Sequence, residues 1–210
     1  MTIQTKISNP ANKLAKILLA IFIIFWLLLS INPVNSTLWI IENILLLMGL
    51  AFVIKSSGKL NLSSTSYIFI FIFSILQTIG AHYTYALVPW GFEVQNYFDL
   101  GRNHYDRLVH FAFGLLLVLP ILEYLSTQIT SKNRALFSLI LVLVFFGLGG
   151  LYEVIEWIYA IIDGGTNADS FLGEQGDRWD SQQDIALAGL GAFITLSLRA
   201  MFGKKSAHIG

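Results

Sequence analysis

Runs of about 20 apolar residues recur along this chain. The first is LAKILLAIFIIFWLLLSI, from Leu14 to Ile31, and each run is long enough to cross a hydrocarbon core of about 30 Å. No water reaches backbone N–H and C=O groups inside a bilayer, so a crossing segment has to be a helix or a strand of a closed barrel. The runs show no two-residue alternation, which selects helices. Composition agrees: only 12% of the residues are charged, against about 25% in a soluble domain. The expected fold is therefore all-α, a polytopic membrane helical bundle forming one integral domain over residues 1–210. There are no cysteines, which leaves histidine and carboxylates as metal ligands. The zero formal net charge argues against nucleic acid as a partner; membrane lipids are the expected partners, and protein partners are unknown from the sequence.

Six spans are predicted, at about 14–31, 38–54, 67–87, 105–124, 135–162 and 181–201. The first is too long for a signal-peptide core and lacks a small-residue cleavage site, so it is read as an uncleaved anchor. Lys and Arg set the orientation. Lys6, Lys13, Lys16, Lys55, Lys59, Lys132, Arg134, Arg199, Lys204 and Lys205 fall on one side, and only Arg102, Arg107 and Arg178 on the other. Both termini are then expected in the cytoplasm. The acidic residues gather on the opposite, periplasmic face, with Glu123 the main exception. The long outer connections, about 88–104 and 163–180, carry Trp90, Phe92, Tyr97, Phe98, Phe171 and Trp179. That aromatic content predicts folded interfacial caps.

Polar groups on four spans point to one site on that face. His82 lies near the outer end of span three. Asp106 and His110 stand at i and i+4 on span four, Glu153 and Glu156 at i and i+3 on span five, and Asp180 and Asp184 at i and i+4 on span six, with Asp177 just ahead. Glu153 lies about 13 Å in from the end of its span at 1.5 Å per residue, and an acid near the bilayer centre costs about 2.5–3.5 kcal/mol unless it finds a partner. Oxygen and imidazole ligands together suit a divalent cation such as Zn²⁺, Mn²⁺ or Fe²⁺. The expected metal ligands are Asp106, His110, Glu153, Glu156 and Asp184. Proton transfer falls to His82, Asp177 and Asp180, and Arg102 and Arg107 are the candidates for holding an anionic head group.

Structural roles compete with each assignment. Asp180 and Gln183 have capping-box spacing, Asp177 follows a turn glycine, Asp106 suits a helix N-terminus, and either histidine could be a hydrogen-bonded interior group. His104 reads as a loop residue. The small residues Gly147, Gly149 and Gly150 on span five, and Ala186, Gly189 and Gly191 on span six, read as close packing between those helices.

The segments HYTYALVPWG, RNHYDRLVHFAFG, YEVIEW and FLGEQGDRWDSQQDIALAGLGA together resemble the YjdF-type bacterial inner-membrane proteins, a family defined by a domain of unknown function. The resemblance covers about residues 80 to 195. It implies a multi-pass inner-membrane protein and carries no activity with it. His82, Asp106, His110, Glu153, Glu156, Asp177, Asp180 and Asp184 fall on its motif positions. Three functions remain open: a metal-dependent enzyme acting on a lipid or lipid-linked substrate at the outer leaflet, a cation or proton transporter, or a non-catalytic protein whose acidic cluster only fixes the bundle or docks a partner. The absence of a G-x-S-x-G motif argues against a serine hydrolase. Transport requires a polar route through the inner half, where only Glu123, Gln77 and Thr78 are available.

Overall fold

The computed structural model describes residues 10–56, 60, 62–163 and 175–202. Among them run seven helices: α1 Pro10–Leu29, α2 Ser36–Ser56, α3 Ser64–His82, α4 Pro89–Tyr97, α5 Tyr105–Gln128, α6 Arg134–Asp163 and α7 Asp180–Phe202. All but α4 are long and apolar enough to cross a membrane, so the six-span, all-helical expectation holds. Short polar side chains set several of the starts. The Asn35 carboxamide accepts from the Thr37 and Leu38 amides, Ser63 Oγ accepts from Ser66 N, and Asn133 Oδ1 accepts from Leu136 N.

Helix α5 is the centre of the bundle. It packs on α3 at one side and α7 at the other, α6 lies along α7, and α1 lies along α3. Val118, Leu122, Leu141, Phe145, Ala192 and Leu196 from α5, α6 and α7 form the main buried cluster. Helix α2 rests on α3 and stands off α5 and α6. Outward residues such as Ile24 and Leu28 on α1 and Leu143 and Ile161 on α6 are exposed, as suits helices whose solvent is hydrocarbon.

The two ends of the bundle differ in charge. Lys13, Lys16, Lys55, Lys132, Arg134 and Arg199 lie at or near the end where α1, α3 and α6 begin, and Arg102, Arg107 and Arg178 at the other. Lys6, Lys59, Lys204, Lys205, Asp169, Phe171 and Glu174 lie outside the described residues. Glu123, the acid at the basic end, accepts from Ser63 N at 2.9 Å and from Ser66 Oγ at 2.7 Å. It thus satisfies part of the open N-terminus of α3. Glu123→Ala is expected to lower stability by about 1–2 kcal/mol, read as a fall in Tm in detergent, with Glu123→Gln retaining most of the wild-type value.

Two differences from the sequence expectation bear on the site. Span three ends at His82 and does not continue to 87. Tyr83 N turns back onto the Ile79 and Gly80 carbonyls, Tyr85 N bonds the Gly80 carbonyl at 2.8 Å, and Thr84 and Tyr85 adopt left-handed φ of 52° and 54°. The Tyr85 ring folds over Gly80, where a Cβ would meet its Cδ1 at 2.6 Å. The apolar letters that seemed to prolong the span instead bury Tyr85 and Val88 against Tyr105 and Val109. The connection that follows contains α4, entered through Pro89. Its Trp90 and Phe92, with Tyr97 and Phe98, are exposed, which is the placement of an interfacial aromatic belt. Most of the second long connection lies outside the described residues.

Candidate functional site

Close backbone approach brings the polar faces together. A Cβ on Gly114 of α5 would collide with the Ala188 carbonyl and stand 2.8 Å from Ala192 N, and one on Gly191 of α7 would collide with the Phe111 carbonyl and stand 2.6 Å from Leu115 N. Thr195 Oγ1 donates to the Leu115 carbonyl at 2.6 Å, fixing the register one turn further along. Of the small residues expected at this packing, Gly149 and Gly189 are contact sites, Gly150 makes only ordinary contact and Gly147 faces open space. Ala186 is exposed; Ala188, on the same face as Asp184, is buried, as is Ala192.

One helical turn from the tips of α5 and α7, the acids meet an imidazole. His110 Nε2 lies 3.6 Å from Asp106 Oδ1 and 3.5 Å from Glu153 Oε1. Asp106, His110 and Asp184 each offer a ligand atom within 4.8 Å of the others. Two ligands held at about 2.1 Å from a shared ion are about 3.4 Å apart in tetrahedral geometry, so the His110 separations suit an ion better than a direct hydrogen bond. Glu153 Oε1 and Asp184 Oδ1 are buried and accept no hydrogen bond. Glu156 is buried one turn along α6, with Glu42, Asp106, Glu153 and Asp184 as its electrostatic neighbours. Glu153 lies ten residues, about 15 Å at 1.5 Å per residue, from the end of α6 at Asp163, and meets His110, about 8 Å along α5, because the last turns of α6 rise past the start of α5.

Above this cluster lies an ion-pair clasp. Arg102 and Asp180, both deeply buried, bond directly. Arg107 reaches Asp177 at 2.6 Å and Asp180 at 3.2 Å, and donates to His104 Nδ1 at 3.0 Å. His104 is therefore more than a loop residue: its imidazole accepts, and burial together with the Arg107 guanidinium holds it below the usual histidine range. Asp177 accepts from Trp179 N at 3.0 Å and Gln183 Nε2 at 3.0 Å, so it, and not Asp180, takes the capping-box glutamine. The Trp179 backbone N–H and Arg107 hold Asp177 below the usual carboxylate range. The structure thus gives both arginines carboxylate partners. His82 stands apart from the acids. Its Nδ1 bonds the Leu29 carbonyl at 2.7 Å and its ring meets Trp39 and Tyr83 edge-on.

Glu42 of α2 is the residue the sequence reading passed over. It is 4% exposed and accepts from Tyr85 OH at 3.1 Å and from Tyr152 OH. Tyr152 in turn packs edge-on to His110 at 5.7 Å. The signal was present, since a lone acid inside the apolar run WIIENILLL is costly in a bilayer and needs a partner. The partners come from the turn after α3 and from α6, which sequence spacing does not connect.

Below the cluster a cavity of 520 Å³ lies between α2, α3, α5 and α6. Asp106, His110, Tyr85 and Tyr152 border one end; the remainder is lined almost wholly by apolar side chains from the four helices. Gln77 borders it, while Thr78 Oγ1 is turned onto the Ser74 carbonyl of its own helix.

No solved structure matches the chain. The inner membrane protein YjdF of Escherichia coli (strain K12) is 35% identical over 173 residues, covering 82% of each chain. With the six apolar helices, this identifies a multi-pass inner-membrane protein. The model of a predicted membrane protein family, DUF2238, matches residues 14–205, and the chain belongs to that family.

Proposed function

We propose that the protein is a divalent-metal-dependent membrane enzyme whose acidic end faces the periplasm, with both termini in the cytoplasm, and whose substrate is a lipid or lipid-linked molecule. The orientation rests on the Lys and Arg bias between the two ends. The observation that carries the reading is the convergence of Asp106, His110 and Asp184 within ligand distance, with a buried oxygen on Asp184 that accepts no hydrogen bond and a second on Glu153, 3.5 Å from His110 Nε2. Glu42, Asp106, Glu153, Glu156, Asp180 and Asp184 are all buried at this end, against the guanidiniums of Arg102 and Arg107. Two like charges 4 Å apart repel by about 4 kcal/mol at an effective dielectric of 20, so a cation relieves a large strain. Asp106, His110, Asp184 and Glu153 would hold the ion and Glu156 would stand behind them. A divalent ion supplies Lewis acidity toward a phosphoryl or acyl oxygen. Tyr152 borders the same end of the cavity and, oriented by its hydrogen bond to Glu42, is placed beside a head group. Because Arg102 and Arg107 are paired, their part is to fix Asp177 and Asp180 at the entrance. Transport finds less support, since the cavity toward the basic end is lined by apolar groups.

The test is metal analysis of protein purified in detergent without chelator. About one equivalent of Zn²⁺, Mn²⁺ or Fe²⁺ is expected, lost in Asp184→Asn and His110→Ala while both variants elute as monodisperse protein. Metal-free wild-type protein whose Tm does not respond to any of these ions would refute the site.

A further inference from the structure

We infer that the cavity beside the acidic cluster is the binding site for one long, unbranched-path hydrocarbon chain, of the polyprenyl class, carrying an anionic head group. The inference deepens the reading above and rests on it for the chemistry at the head group alone.

The cavity has the shape and polarity gradient of such a molecule. Asp106 and Tyr124 of α5 both border it, which makes it about 27 Å long at 1.5 Å per residue. A volume of 520 Å³ over that length is a slender channel with room for a single chain. An ordinary acyl chain fills one leaflet, about half of the 30 Å core; this channel runs nearly the whole thickness. Its contents are therefore a chain longer than one leaflet holds. The charged groups lie at one end only, where Asp106 and His110, with Asp184 within ligand distance of them, would complement an anionic head through a shared cation.

The channel also has a side entrance. Helix α2 meets the α5–α6 side at two places: the Glu42–Tyr152 hydrogen bond at the acidic end and the Phe52–Tyr124 ring contact, 5.7 Å between centroids, near the basic end. Between these clasps Leu45 and Met48 of α2 and Leu151 of α6 are exposed, so the opening faces the bilayer and a chain can enter sideways. Gly49 borders the channel, and a Cβ placed there would meet nothing within 4 Å.

Gly49→Trp therefore plugs the channel without disturbing a helix contact. The test uses protein in nanodiscs and two photoreactive probes, a long-chain polyprenyl phosphate and a dipalmitoyl phosphatidic acid, each with a diazirine at the chain end. In the wild type the polyprenyl probe is expected to label peptides holding Leu62 and Tyr124, and Gly49→Trp to reduce that labelling at least tenfold at unchanged Tm. Equal labelling of wild type and Gly49→Trp, or equal deep labelling by the phosphatidic acid probe, would overturn the proposal, the first result meaning bulk lipid only. Should Gly49→Trp lower Tm, Leu45→Trp on the rim provides the same comparison. Metal content is measured in the same samples. Blocked labelling in metal-free protein leaves the chain site standing and removes the enzyme reading; bound metal with unblocked labelling does the reverse.

Discussion

Gly114→Leu is expected to prevent the bundle from assembling. The new side chain would start inside the Ala188 carbonyl and press on Ala192 N, and a backbone within a membrane helix cannot move aside without breaking its own hydrogen bonds. Overpacking against side chains costs about 1–3 kcal/mol; here the obstacle is main chain, so the cost exceeds that range. The same change moves α5 away from α7, and with it Asp106 and His110 away from Asp184. Gly147→Leu is the control: a Cβ there meets nothing within 4 Å, and its effect should stay within about 0.5 kcal/mol. Yield of monodisperse protein and Tm in detergent read both. A Gly114→Leu protein with wild-type Tm would show that the α5–α7 contact is looser than described.

Arg102→Ala is the second large effect. Arg102 and Asp180 are 6% and 3% exposed, and removing one partner of a buried pair leaves the other charge uncompensated at about 3–5 kcal/mol. Arg107→Ala should cost less, about 1 kcal/mol, because its closest partner Asp177 keeps 27% of its side chain in solvent. Asp180 then still retains Arg102. The double variant Arg102→Ala with Asp180→Ala should recover part of the loss of the single change, since no unpaired charge remains. Equal costs for the two arginines, or no recovery in the double variant, would mean that the clasp is not what holds the start of α7 over α5.

How far the site could be read from the sequence depended on whether local spacing carried the information. Asp106 with His110, and Asp180 with Asp184, lie on single helix faces, and one periodicity joins each pair. Their convergence with Glu153 followed from the cost of leaving an intramembrane acid alone. The same argument applied to Glu42, but its tyrosine partners sit on α6 and on a left-handed turn hidden within an apolar stretch. His82 looked like its neighbours in the motif, yet the early end of α3 turns its ring toward α1 and α2. The arginines read as free cations because nothing in their spacing ties residue 102 to residue 180.

What the sequence determined by itself was the number of crossings, their helical form and the end of the bundle at which charge collects. Each of these follows from one-dimensional quantities: the length of an apolar run against the bilayer thickness, and the alternation of Lys and Arg between connections. Which charges pair, which group Glu153 meets and where the cavity opens were decided only in three dimensions. They depend on the axial offset of α6 against α5, on the glycine-sized gap between α5 and α7, and on α2 standing away from its neighbours. Those are distances between helices, and a chain specifies them through the packing of all its side chains together.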